Sequence, residues 1–203
     1  MKKLADDMPG YAYGSPEIPV SPVTMRDFDN LKNSAGFTED DQRYLLLAGG
    51  ILACQTKQLV DHWRNRIIAG IPNLARHTRA IDGSAILEYS ANSGLRFQQW
   101  ILDTCLRPYD QDWLNYQQEI ALRHTSRKKN KVDGVRSTSH IPLRDIITFI
   151  AVMNETIKPF LAAKNSSSEE VDKMHRAWCA SMHIQLALWA KVYLDAEQMQ
   201  NEW

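Results

Sequence analysis

The stretch Trp113-Leu114-Asn115-Tyr116-Gln117-Gln118-Glu119-Ile120-Ala121-Leu122-Arg123-His124 decides the fold class. Trp113, Tyr116, Ile120 and His124 recur every three or four residues. At about 100° per residue they share one narrow stripe of a helix, the stripe that a packed helix turns inward. Asp110 stands where an N-cap belongs, and Thr125 to Asn130 abandons the apolar period. A helix is therefore predicted from Asp110 to His124, with the histidine in its last turn, where a cationic side chain also suits the dipole. An imidazole on that stripe is either a core residue with both nitrogens satisfied locally, or one that offers a nitrogen to something buried.

The same punctuation extends in both directions. From Thr24 the pattern is helical, with Phe28 and Leu31 as a short apolar edge, and Thr38-Glu39-Asp40-Asp41 reads as an N-cap followed by acidic first-turn residues. A long helical region is predicted from Glu39 to Ile68, broken near Gly49-Gly50 and stopped before Pro72. After a break at Asp82-Gly83, a helix is predicted from Ser84 to Cys105, ended by Pro108. Pro142 fits the first turn of a helix carrying Ile146, Phe149, Ile150, Met153 and Ile157, and Ser167-Ser168-Glu169-Glu170 supplies a capping box for a last helix expected to reach Ala196. The stretch through Pro22, with Pro9, Pro16, Pro19, Gly10 and Gly14, is predicted to be irregular, its Tyr11 and Tyr13 suited to packing on another surface. No run alternates with period two and no hairpin signal or internal repeat occurs, so the class is all-α.

Bulk properties exclude several functions. At 203 residues the chain is expected to form one domain, and 24 basic residues against 24 acidic ones leave no net field to favour nucleic acid or an anionic membrane. The longest largely apolar run, Tyr44 to Cys54, is about half of the roughly 20 residues that span a bilayer, and Met1 to Asp7 lacks the apolar segment of a secretory signal. A soluble, cytoplasmic protein is expected. Cys54, Cys105 and Cys179 are widely spaced and odd in number, which implies no disulfide framework. Hydrolase and nucleotide-binding motifs are missing.

Some residues invite chemistry. Ser90, Ser93, Gly94 and Phe97 share one face of the helix upstream of His124, and Gly94 costs about 1 kcal/mol of helix propensity relative to alanine. Such small residues admit either a bulky flat object or a second helix, and Phe97, Phe149 and Met153 are either the walls of an apolar pocket or plain core. His62, His77, His140, His175 and His183 read as solvated or core residues; the last two, eight apart, lack the spacing of a helical zinc site. The run Arg127, Lys128, Lys129, Lys131 and Arg136 reads as a solvated loop.

Five separated segments carry a family resemblance: Pro9-Gly10-Tyr11-Ala12-Tyr13-Gly14, Arg96-Phe97-Gln98-Gln99-Trp100-Ile101-Leu102-Asp103-Thr104, the Trp113 to His124 stretch, Lys158-Pro159-Phe160-Leu161 and Gln185-Leu186-Ala187-Leu188-Trp189. In order and along nearly the whole chain they resemble protoglobin, the single-domain relative of the globin-coupled sensors. The resemblance implies a globin fold with an added N-terminal helix, residues 1–22 forming an irregular extension that folds over the propionate edge of haem b. It implies that His124 is the proximal ligand of the iron, that Phe97 and Phe149 are distal aromatics, that Trp63 is the tryptophan of the first long helix, and that Arg96 and Tyr116 line the haem. Ser93, Ile120 and Met153 complete the expected haem-contacting set. No Cys-x-x-Cys-His is present, so the haem is expected without thioether attachment.

The chain departs from the family on the distal side. Arg64 stands where protoglobins usually carry a tyrosine after the Trp63 position, one extra residue lies between Asp61 and Pro72, and Ala75-Arg76-His77-Thr78 replaces an aromatic-rich turn. Trp63, His62, Arg64 and His77 are thus the candidates to face a ligand, and the expectation is a five-coordinate ferrous resting state with Trp63 near the gas site. The implied function is reversible binding of oxygen, carbon monoxide or nitric oxide as carrier, scavenger or sensor. The alternatives are haem redox chemistry on nitric oxide or peroxide, for which no flavin or reductase module is present, and a haem-free helical interaction domain. With no signalling module after the last globin helix, sensory output is expected to need a partner or a change in dimer contacts. Family members commonly pair through the last two long helices, and Ala177, Ala180 and Ser181 beside Trp178 and Ile184 form a face on which a partner helix fits, or on which the chain's own helices pack.

Overall fold

Capping residues set the helix starts. In the computed structural model, which describes residues 8–162 and 166–194, Thr38 and Asp41 form a reciprocal capping box, as do Ser167 and Glu170, and the Asp110 carboxylate accepts from the Trp113 N–H. The α-helices, numbered along the chain, are α1 (Met25–Ser34), α2 (Glu39–Leu52), α3 (Thr56–Asp61), α4 (Pro72–Ala75), α5 (Leu87–Leu106), α6 (Gln111–His124), α7 (Leu143–Leu161) and α8 (Ser168–Tyr193). Among the described residues there is no strand, only an isolated bridge between Arg79 and Ala85. No described helix is long and apolar enough to cross a membrane.

Three boundaries differ from expectation, each for a local reason. The first long helix breaks at residues 53–55 and not at Gly49-Gly50, because a Cβ on Gly49 would collide with the Leu106 side chain: the glycine is where α5 comes closest to α2. Helix α5 starts at Leu87, not Ser84, because the Asp82 carboxylate accepts from the Ser84 N–H at 2.9 Å and its hydroxyl at 2.7 Å, holding that residue in a turn. Pro142 is the N-cap of α7, one residue outside its first turn. The last helix is described to Tyr193, and its expected end at Ala196 lies outside the described residues.

Beyond α3 the chain winds through a π-helical segment, His62–Ile67, and a 3-10 turn, Ile68–Gly70. A π turn carries an extra residue per turn, so this segment has room for one more residue than an α-helical path of the same length.

Helix α8 is central, packing on α2, α6 and α7. Its face of Ala177, Trp178, Ser181 and Ile184 is buried within the chain, and the Ser181 hydroxyl is hydrogen bonded to that of Tyr109 at 2.5 Å. The small-residue face considered for a partner helix is therefore occupied internally. Buried amides knit the same helix to its neighbours: Trp100 donates to Gln185 at 2.9 Å and Trp189 to Gln117 at 3.0 Å.

Candidate functional site

His124 is the last residue of α6, and its carbonyl accepts from the Ile141 N–H at 2.8 Å, which ties down the helix end. Its Nδ1 lies 2.7 Å from the Ile120 carbonyl. A carbonyl only accepts, so Nδ1 carries the proton and Nε2 keeps a lone pair. Burial pushes the imidazole down to a pKa of about 4, so the ring is neutral at physiological pH. The Trp189 ring stacks against it, centroids 5.9 Å apart and planes 21° apart, and is itself held by Gln117.

The ring forms one wall of a cavity of about 280 Å³, close to the lower bound of the roughly 300–1,000 Å³ common for small-molecule sites. Phe97 and Trp100 of α5, Tyr116 and Ile120 of α6, and Phe149 and Met153 of α7 make it mostly apolar. Ser93, Arg96 and His124 complete the set that the sequence singled out for this place, so eight of the nine expected residues meet at one cavity. Trp63 is the exception. It is fully buried one layer back, stacked on Phe97 at 5.5 Å and donating to the Thr156 hydroxyl at 2.9 Å.

Of the other distal candidates, His62 faces Phe160, and His77 lines the cavity with both nitrogens engaged, Nδ1 on the Thr138 hydroxyl at 2.8 Å and Nε2 on Asp145 at 3.2 Å. Arg64 reaches the cavity. Its Nη1 donates to the Ser90 carbonyl and the Ser93 hydroxyl, both at 3.0 Å, and the guanidinium lies 5.7 Å from the Phe97 ring. The π-helical register separates the two neighbours: Trp63 points into the core and Arg64 into the cavity.

The irregular N-terminal residues strap the cavity's mouth. The Pro9 carbonyl accepts from Arg96 at 2.7 Å and the Gly10 carbonyl from Arg123 at 2.6 Å, while Tyr11 and Tyr13 pack edge-on against Tyr116. The basic loop is only partly solvated, contrary to expectation. Lys128 pairs with buried Glu119 at 2.6 Å, and Lys129 is 5% exposed, its ammonium on the His77 carbonyl and pushed down by burial to a pKa of about 8. Cys54 is exposed, not apolar-packed, and the three cysteines are free.

The donor set fits a macrocyclic metal better than a bare ion. Among the described residues no group of three or more His, Cys, Asp or Glu converges on a metal position. His124 thus offers one imidazole within an apolar, flat-walled space, which suits an iron whose equatorial ligands arrive with it. A family model described as Protoglobin matches residues 24–199. The chain belongs to the Protoglobin family. Protoglobins are haem-binding, gas-binding globins, and the all-helical fold of this chain agrees with that membership. No curated protein matches this protoglobin.

Sequence reasoning missed Tyr89 and Trp189. Tyr89 lies four residues before Ser93 and eight before Phe97 on the same face of α5, so helical spacing alone would have found it. Trp189 comes from α8, and only the tertiary packing brings it to His124.

Proposed function

We propose that this protoglobin holds haem b through His124 Nε2 and reversibly binds oxygen, carbon monoxide or nitric oxide in the cavity, as carrier, scavenger or sensor. The observation that supports this most is the neutral imidazole on the cavity wall, its Nδ1–H fixed on Ile120 and its other nitrogen left with a lone pair. When bound, the haem would supply an iron able to bind a diatomic gas. The chain does the rest. The Ile120 carbonyl fixes the tautomer and strengthens the ring as a donor, and Trp189 resists its rotation. Phe97, Phe149 and Met153 exclude water from the gas position, and Arg64 brings N–H donors to the same space in place of Trp63. Arg96, Arg123 and Lys128, with the strap across them, stand where haem carboxylates would leave the cavity. Three free cysteines suit a reducing cytoplasm. Two copies pair through outward faces of α7 and α8, since the inward face of α8 is filled.

Absorption spectra of haem-loaded wild type and His124→Ala test the reading. Wild type gives a sharp Soret band, five-coordinate when reduced and shifted by carbon monoxide, whereas His124→Ala loses ordered ligation at unchanged helicity by circular dichroism. Identical spectra for the two proteins, or a six-coordinate reduced wild type, refute it.

A further inference from the structure

Cations on the cavity wall are matched by carboxylates, with one exception. Arg96 pairs with Asp133 at 2.6 Å, Arg123 and Lys128 share Glu119 at 2.8 and 2.6 Å, and His77 meets Asp145 at 3.2 Å. Arg64 has no carboxylate partner among the described residues, although it lies half-buried against α5. Among the described residues only Nη1 is used, on Ser90 and Ser93, and Nε and Nη2 make no hydrogen bond. The charged or titratable groups that act on it are Tyr89, whose hydroxyl has no protein hydrogen bond, and Arg96, which is of like charge. Lys129, 5.7 Å from the Tyr89 ring, adds positive potential behind it. Packing against α5 partly desolvates the guanidinium, which is costly without a counter-charge; a small anion offsets that cost, and neutral carbon monoxide does not.

We infer that Arg64 and Tyr89 form a binding site for a small monovalent anion inside the cavity, so that the oxidised protein takes an anion where the reduced one takes a gas. The inference rests on the haem reading above. It assigns Arg64 the role of charge selection, with Ser90, Ser93 and the face of Phe97 holding the guanidinium in place.

The test titrates sodium fluoride and sodium azide into haem-loaded, oxidised protein at fixed ionic strength, and carbon monoxide into the reduced protein, following the Soret band. Wild type, Arg64→Met, Arg64→Lys and Tyr89→Phe are compared. Loss of the charge in Arg64→Met should weaken fluoride and azide by about tenfold or more, the size expected for a charge-assisted hydrogen bond in a dry site. Carbon monoxide should change far less, Arg64→Lys should retain part of the anion affinity, and Tyr89→Phe should lose a smaller factor. Equal fluoride and azide affinities in wild type and Arg64→Met, both with normal Soret bands, overturn the inference and leave the haem reading intact. So does an Arg64→Met protein that sheds haem faster but binds both anions as before, since the arginine then pairs with a haem carboxylate. If Arg64→Met does not fold, Arg64→Lys with unchanged anion affinity but weakened carbon monoxide binding overturns it equally. A wild type that takes up no haem sinks both readings together.

Discussion

His124 carries a pH dependence that can be given a sign. Its folded pKa, about 4, lies below the ordinary imidazole value of 6.5, so the unfolded chain takes up a proton first as pH falls. The haem-free protein should therefore keep full stability above about pH 6.5 and lose up to about 3 kcal/mol between there and pH 4. Lys129, His77 and Arg123 push in the same direction, and His77, itself lowered by burial, adds a parallel loss. Urea unfolding at stepped pH checks this, and His124→Leu should flatten the slope. A second prediction concerns Gly10, which has φ +72° and whose added Cβ would lie 2.5 Å from Val132 Cγ1 and 2.8 Å from Arg96 Nη1. Gly10→Ala should release the strap at a cost of about 1–3 kcal/mol, seen as faster proteolysis before α1 with the rest of the chain unaffected. At this scale the sequence was informative where a side chain's direction follows from its own helix, as with His124, Phe97 and Ser93. Trp63 was expected at the cavity only from the family resemblance, and its place one layer back is set by tertiary packing on Phe97 and Trp178, which its own helix does not announce.

Helix boundaries show which signals are local and which are not. Caps at Thr38, Asp110 and Ser167 act within four residues, so they could be read directly. Gly49-Gly50 could not, because propensity registers only the cost of a glycine, whereas Leu106 and Cys105 of α5 supply the reason for it. The two glycines separate these contributions. Gly49→Ala should destabilise the protein by roughly 1–3 kcal/mol, since the crossing of α2 and α5 must open. Gly50→Ala, exposed and with nothing near its added Cβ, should stabilise by up to about 1 kcal/mol. Thermal unfolding of the pair is the measurement; equal shifts in one direction would mean that the close approach has no energetic weight. The π-helical segment has a comparable logic: no local signal announces the widened turn, which sits where Trp63 packs against Trp178 and Phe97.

For the molecule as a whole, the centrality of α8 constrains any assembly. A helix that packs on α2, α6 and α7 leaves a strip on which two small residues, half-buried Ala180 and exposed Ala187, alternate with exposed Arg176, His183 and Lys191. On α7, Ile147 is an apolar side chain left 47% exposed. Small side chains let two such helices approach within about 8–10 Å, and a stable pair must bury on the order of 1,200–2,000 Å² in total. An interface confined to the former small-residue face is impossible without unfolding, since Trp178 and Ser181 are fully buried there. The proposed pairing therefore places Ala187 near its centre. Wild type should sediment at twice the 23.3 kDa chain mass at micromolar concentration, and Ala187→Glu, which sets a charge against its own copy, should sediment as a single chain with the haem spectrum unchanged. A wild type that sediments as a single chain removes the pairing.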